Sequence, residues 1–181
     1  RFVAVDSVEV RARVSGYLDS IHFKDGQMVK EGDLLFTIDK RPFQTALDQA
    51  KATLQKSRAE LAFAEGDLER AAQLVKDKTI TQQTFDQRTQ VKRVAEANVA
   101  AQEAAVRQAE LDLQFTDLRA PVSGRIGDRR VSVGNLVTGG TSGNTTLLAT
   151  IVSTDPMRFE FTFDEASYLR YERLAANGNV N

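Results

Sequence analysis

The chain has 181 residues, enough for one ordinary domain or two small ones, and 24 Lys+Arg nearly cancel 25 Asp+Glu to leave a formal net charge of −1. That balance argues against nucleic acid as a partner, which needs a basic patch or stripe. With no cysteine and one histidine, His22, the segment holds no disulfide, thiolate metal site or cysteine nucleophile, and too little for a histidine-based zinc site.

The N-terminal flank reads as β-structure. Val8, Val10, Ala12 and Val14 alternate with Ser7, Glu9, Arg11 and Arg13, the pattern of a strand with one buried face. Leu34, Phe36 and Ile38 repeat the alternation, and Gly16, Asp25-Gly26 and Glu31-Gly32-Asp33 punctuate between them as turns. His22, between Ile21 and Phe23, reads as an outward-facing strand residue.

From Pro42 to Phe115 the material changes. These 74 residues contain one glycine, Gly66, and a proline only at the first position, amid abundant Ala, Gln, Glu, Lys, Arg and Leu. Such a composition predicts helix, with Pro42 in the first turn where its missing N–H costs nothing. Phe43, Leu47, Ala50, Leu54, Ser57, Leu61, Ala64, Leu68, Ala71 and Val75 recur at alternating steps of four and three, a coiled-coil seam with one polar member. The second half is less regular: Ala95, Val99, Val106, Ala109 and Leu113 share a phase, with Gln102 in the gap. Glu60, Glu65, Asp67 and Glu69 cluster on this stretch, but Lys56, Arg58 and Arg70 among them point to a solvated helix surface, not a metal site.

Beyond the helical stretch, the longest run without Asp, Glu, Lys or Arg is Val131–Thr154, 24 residues of which nine are apolar, too polar to sit in lipid. Its glycines at 134, 139, 140 and 143 lack the Gly-Lys-Ser/Thr of a phosphate loop. Met157–Asp164 alternates Phe159, Phe161 and Phe163 as a further strand, and Glu165–Ala176 reads as helical.

An internal repeat brackets the helices. Shifted by 108 residues, Arg11-Ala12 falls on Arg119-Ala120, Val14-Ser15-Gly16 on Val122-Ser123-Gly124, Gly26 on Gly134, Val29 on Val137 and Gly32 on Gly140, eight identities in 22 positions. After an insertion at Thr141–Thr146, Leu35, Thr37 and Ile38 match Leu148, Thr150 and Ile151. The paired glycines 16, 26, 32, 124, 134 and 140 are expected at turns that need φ > 0. Each half-repeat is too small to bury a core, so the two should join into one β-sandwich. A straight helix of this length would hold them roughly 110 Å apart. The helix must therefore fold back, and its midpoint falls between Lys78 and Thr79, where the seam loses phase and Thr81 can cap a new helix. A sandwich carrying an antiparallel hairpin about 50 Å tall results.

Val14-Ser15-Gly16-Tyr17-Leu18, the run Asp25-Gly26-Gln27-Met28-Val29-Lys30-Glu31-Gly32-Asp33-Leu34-Leu35, and Arg119-Ala120-Pro121-Val122-Ser123-Gly124-Arg125-Ile126 resemble the split halves of a biotinyl/lipoyl-like domain. With a heptad hairpin between them the chain resembles a periplasmic adaptor, or membrane fusion protein, of a tripartite efflux pump. Asp39-Lys40-Arg41-Pro42-Phe43 is most similar to adaptors serving resistance-nodulation-division transporters. The resemblance implies an α+β chain: residues 1–7 lead in from a β-barrel, 8–39 and 116–152 form the lipoyl-like sandwich, 40–115 the hairpin with its tip near 76–81, and 153–181 part of the barrel. It implies a membrane-proximal domain, signal peptide and anchor outside this chain, a periplasmic location against the inner membrane, and no enzymatic activity or cofactor. It implies three partners: an inner-membrane transporter, an outer-membrane channel, and further copies of the chain in a ring.

Adaptors that dock on the channel tend to carry an Arg, a Leu four residues later and a Ser seven beyond that. Here Arg70, Leu74 and Thr81 hold those spacings, with Thr keeping the hydroxyl. The resemblance thus implies a channel contact at these three residues, above the seam of Leu47, Leu54, Leu61, Leu68 and Val75. Read from the residues alone, Arg70 is equally a solvated charge, Leu74 a packed side chain and Thr81 an N-cap. Two other functions stay open: an adaptor of an ATP-driven or type I secretion exporter, and a lipoyl or biotinyl carrier domain. The carrier needs a lysine on the turn between half-repeats, where this chain has 74 helical residues and only Lys40 nearby.

Overall fold

The structure, a computed structural model, describes residues 2–4, 7–140, 145–154, 157–159 and 172–173. It is a mixed α and β chain in which strands β1 (Phe2–Ala4), β2 (Ser7–Arg11), β3 (Gly16–Ile21), β4 (Met28–Val29) and β5 (Leu34–Ile38) precede two long helices, α1 (Arg41–Lys76) and α2 (Gln82–Gln114). Strands β6 (Asp117–Arg119), β7 (Gly124–Ile126), β8 (Leu136–Val137), β9 (Leu147–Val152) and β10 (Met157–Phe159) follow.

Eight strands form two four-stranded sheets, ordered β2-β9-β7-β4 and β6-β5-β3-β8. Each sheet draws two strands from each side of the helices. The 108-residue shift carries β2, β3 and β4 onto β6, β7 and β8, and the insertion-corrected shift carries β5 onto β9, so each sheet maps onto the other in the same order. Backbone hydrogen bonds repeat in the same way. Gly26 N–H donates to Ile126 O (3.1 Å) as Gly134 N–H donates to Leu18 O (2.8 Å), and Leu18 N–H to Asn135 O (2.9 Å) mirrors Ile126 N–H to Gln27 O (3.0 Å). The halves are therefore interlocked by pseudo-twofold symmetry, and neither has a core of its own.

The shared core lies between the sheets. Leu35 and Leu148, equivalent in the repeat, are both fully buried, as are Phe36, Ile38, Ile126, Val137 and Ile151. Phe23 meets Phe36 edge to face at 5.1 Å, a favoured aromatic geometry. The expected alternation Leu34, Phe36, Ile38 is broken by a register irregularity against β6 between Leu34 and Phe36. Consecutive residues Leu35 and Phe36 therefore both face inward, and Leu34 is only half-buried.

The glycines divide into two groups. Gly26, Gly32, Gly134 and Gly140 have φ of +78°, +89°, +87° and +125°, in turns that a side chain would strain. Gly16 and Gly124 are not turn residues of that kind: they begin β3 and β7. Close approach explains them, since a Cβ on Gly16 would lie 2.7 Å from Ile38 Cγ2 and one on Gly124 2.3 Å from the Val152 carbonyl oxygen.

Outside the two sheets, β1 and β10 pair antiparallel, with Phe2 opposite Phe159. The strand expected to continue through Phe161 and Phe163 lies outside the described residues, as does the expected helix at Glu165–Ala176 except for Glu172 and Arg173. No helix among the described residues is long and apolar enough to cross a membrane.

Candidate functional site

The hairpin rises from the sandwich at a charged root. Lys40, just before α1, meets Asp117, the first residue of β6, at 2.7 Å, tying the two chain crossings together. Asp39 accepts hydrogen bonds from the Arg41 side chain (2.7 and 2.9 Å) and from its backbone N–H (3.0 Å). These donors, the side chain first, lower the Asp39 carboxyl from 3.8 to about 2. Lys40, weighed above as a carrier lysine, is thus part of the clamp. His22 sits one residue past β3, exposed, with Nε2 2.9 Å from Thr37 Oγ1 and 3.1 Å from Ser20 Oγ.

Above the root the helices run for roughly 50 Å at about 1.5 Å per residue. On α1 the buried residues are Leu47, Ser57, Ala64 and Ala71, and on α2 Ala95. Leu54, Leu61, Leu68 and Val75 are half-buried. The alternation of Leu with Ala or Ser lets the backbones approach closely, but only one helix covers each seam. Charges close one side of it: Lys51–Glu110 (3.8 Å), Arg58–Glu103 (2.9 Å) and Glu65–Lys92 (3.7 Å) join α1 to α2, as does Asp67 with Arg88. Glu96 (3.2 Å), with Glu65, raises the Lys92 pKa. Of the acidic cluster of the sequence, Glu60 meets Lys56 (3.8 Å), Glu65 meets Lys92, and Asp67 meets Arg70 and Arg88.

The two helices join at a tight turn. Lys78 N–H donates to Val75 O (2.9 Å) and Thr79 N–H to Leu74 O (2.9 Å), the paired bonds of a Schellman closure. Lys78 takes φ +54°, among the described residues the one non-glycine with positive φ. Thr81 then caps α2: its backbone is extended (φ −80°, ψ 155°) and its Oγ1 accepts from Thr84 N–H at 3.2 Å. That bond satisfies one of the amides orphaned at a helix start.

Of the three residues expected to face a channel, Leu74 stands in the last turn of α1 with 41% of its surface exposed. Arg70 lies one turn lower, exposed, and its guanidinium folds back to Asp67 at 3.5 Å, beside Gly66. Thr81 is exposed across the turn, with its hydroxyl oxygen engaged in the cap. Leu74 and Thr81 thus flank one turn, while Arg70 is tethered toward the hairpin shaft.

Two features escaped the sequence. One is the left-handed backbone at Lys78, where no Gly or Asn flags it. The other is an apolar groove halfway up the hairpin, where Phe63 is 71% exposed beside Val91 (55%) and Val94 (60%). Its signal was available: Phe63 is two residues past the seam position Leu61, an apolar side chain off the heptad.

Comparison with known proteins agrees with this architecture. Residues 6–152 match the RND membrane fusion protein family, barrel-sandwich hybrid domain. The multidrug resistance protein MdtA of Pectobacterium carotovorum is 46% identical over 163 residues, covering 90% of this chain and 39% of that protein. The chain therefore spans about two-fifths of the length of the curated relatives it matches. Among solved structures, a MacA–MexA chimera carrying the Pseudomonas aeruginosa MexA α-hairpin is similar at 27% identity and TM-score 0.57, over 93% of this chain and 55% of that one. A membrane fusion protein of Streptococcus pneumoniae shares the fold at TM-score 0.69 and 17% identity, over 93% and 71% of the two chains. The match over the interlocked sheets and the hairpin between them places this chain in the RND-type membrane fusion protein family.

Proposed function

We propose that this chain is the central part of a periplasmic adaptor that links an inner-membrane efflux transporter to an outer-membrane channel, for export of drugs or other small toxic compounds. One observation carries the reading: a helical rod of roughly 50 Å stands on a sandwich that only the two flanks together can build. A rod fixed at its root suits mechanical bridging, and membership of the RND membrane fusion protein family, with the likeness to a multidrug resistance protein, supports this reading.

In this reading residues 8–39 and 116–152 are a split lipoyl-like sandwich that has lost the carrier turn, and 40–115 are the docking arm. Residues 1–7 and 153–181, joined by the β1–β10 pair, lead into a barrel domain. Copies side by side form a ring, and the transporter supplies the energy. Leu74 is the apolar anchor of the channel contact, with Thr81 across the turn and Arg70 beneath. A few central residues can carry most of a small interface's energy.

The test is drug resistance restored by the full-length protein, expressed with its transporter and channel in a susceptible host. Leu74→Asp should abolish resistance while leaving the protein folded and bound to its transporter. Unchanged resistance would remove Leu74 from the interface, and an unfolded hairpin would make it a packing residue instead.

A further inference from the structure

The internal repeat sets up a comparison within one molecule. Tyr17 and Leu136, cross-strand neighbours on β3 and β8, occupy the same backbone positions as Arg125 and Met28 on β7 and β4. All four point outward, since Leu18, Val137, Ile126 and Val29 beside them are buried. The two pairs belong to the outer faces of different sheets, so they look away from each other on opposite sides of the sandwich.

These two sites collect the exposed apolar surface of the sandwich. Among the described residues, its exposed large hydrophobic side chains are Tyr17, Val133 and Leu136 at the first site and Met28 at the second, each more than half exposed. Exposed apolar residues scattered singly need no explanation, but here every one falls at one of two equivalent edges. The fold does not demand the apolar set at the first site. The same backbone closes at the second around Arg125, Met28 and Asp25, the equivalent of Val133. Both sites are also clear of the chain's other parts. Strands β4 and β8 end their sheets, whereas the hairpin leaves from β5 and β6, and the β1–β10 pair from β2 and β9, at the other end of each sheet.

The charges of the two sites differ in sign. Residues 17–22 and 132–136 of the first carry Asp19 and no Lys or Arg. The equivalent residues 125–130 and 24–28 carry Arg125, Arg129, Arg130 and Lys24 against Asp25 and Asp128, so the formal charges are −1 and +2. Asp25 is met by Arg129 at 3.9 Å. Two copies joined by like sites would set Asp19 against Asp19 or Arg125 against Arg125. Joined by unlike sites, they bring opposite charges together.

We propose that copies of this chain join head to tail through these sites, the apolar β3–β8 edge of one copy seated on the β4–β7 edge of the next. Arg125 and Met28 of the next copy then meet Tyr17, Leu136 and Asp19. A guanidinium on a tyrosine face and a thioether at a ring edge are both favourable contacts. This rests on the adaptor reading above, which sets copies side by side, and it names the faces that join them. Contact between unlike faces leads to a ring when the rotation closes, whereas contact between like faces stops at two copies. Sites this small hold where the rest of the assembly brings the copies together.

The test uses the full-length adaptor expressed with its transporter and channel, any cysteine outside this chain being replaced by serine; the chain itself has none. Leu136→Cys, Met28→Cys and the double variant are treated in membranes with a short bismaleimide. The double variant should give a ladder of linked adaptor copies, and each single variant should stay monomeric on a denaturing gel. In the double-cysteine background, Asp19→Arg or Arg125→Asp should lower the linked fraction about fivefold, and the two reversals together should restore it. A linked product from either single variant would make the contact one between like sites and overturn the proposal. An unlinked double variant would overturn it too, as would charge reversals that fail to compensate. A product that mass spectrometry shows to contain the transporter or the channel in place of a second adaptor would assign the apolar site to that partner instead. If the wild type does not restore drug resistance with its transporter and channel, the adaptor reading falls. If it restores resistance and the double variant stays unlinked, only the head-to-tail contact falls.

Discussion

The sandwich and the hairpin are built from opposite solutions to the burial problem. In the sandwich two sheets enclose one layer of large aliphatic and aromatic side chains, and Leu35, Phe36, Ile38, Ile126, Leu148 and Ile151 are wholly shielded. In the hairpin one helix has only the other to cover it, and its five buried residues include three alanines and a serine. At about 25 cal/mol per Å² of apolar surface, small side chains bury little free energy. The hairpin therefore depends on its clamped root, its caps and its interhelical ion pairs, and it is expected to open at lower cost than the sandwich. The same thinness leaves Leu74 at the tip and Phe63, Val91 and Val94 on the shaft exposed.

The largest break in this contrast should come from the sandwich. Leu35→Ala or Leu148→Ala should each cost about 2–5 kcal/mol in denaturant unfolding. Because the core is shared, either substitution should loosen amide protection in both half-repeats. Gly124→Ala should follow, at about 3 kcal/mol, since its Cβ would strike the Val152 carbonyl oxygen and backbone cannot easily yield. Gly16→Ala should cost less, because Ile38 Cγ2 can shift. Equal costs at 16 and 124 would show that the symmetry extends to packing detail.

Smaller and more local is Leu61→Asp in the half-buried seam. A charge there should lower the ellipticity at 222 nm, at a cost on the order of 2 kcal/mol, while sandwich amides keep their protection. Loss of protection in both regions together would show that they unfold as one unit.

The smallest effect belongs to the root and is read by pH. Arg41 holds the Asp39 carboxyl at about 2, below the ordinary 3.8. A lowered carboxylate stabilises the fold above its unfolded value, and that contribution disappears as pH falls through the folded value. The protection factors of the amides in the first turn of α1, taken relative to intrinsic exchange at each pH, should therefore fall as the pH drops from about 4 to about 2. Asp39→Asn should flatten this dependence, with little change in the sandwich.

The heptad spacing from Phe43 to Val75 was legible because helical neighbours lie three and four residues apart, a relation contained in the sequence itself. Thr81 as the start of α2 was legible for the same reason, since a cap and the amide it binds are sequence neighbours. The paired glycines at 26 and 134, and at 32 and 140, announced turns through their own backbone freedom. The tip residues were legible as a spacing only. That Arg70 turns back to Asp67 while Leu74 stays open depends on which side chains crowd the last turn.

What local pattern could not carry was decided by contacts distant in sequence. Strand β9 lies between β2 and β7, and β5 between β6 and β3, because hydrogen-bonding edges find partners across the whole hairpin insertion. The irregularity that buries Leu35 and Phe36 together arises where β5 meets β6, some eighty residues away. Gly16 and Gly124 look like turn glycines in the sequence but answer to Ile38 and Val152 in space. The left-handed Lys78 arises because two helices of set direction must close over one short turn. Sequence by itself determined the helices and the Thr81 cap, set by interactions within a few residues, and showed the repeat directly; tertiary structure alone decided strand order, close approaches and which charges pair, because each depends on a partner that the chain reaches only by folding.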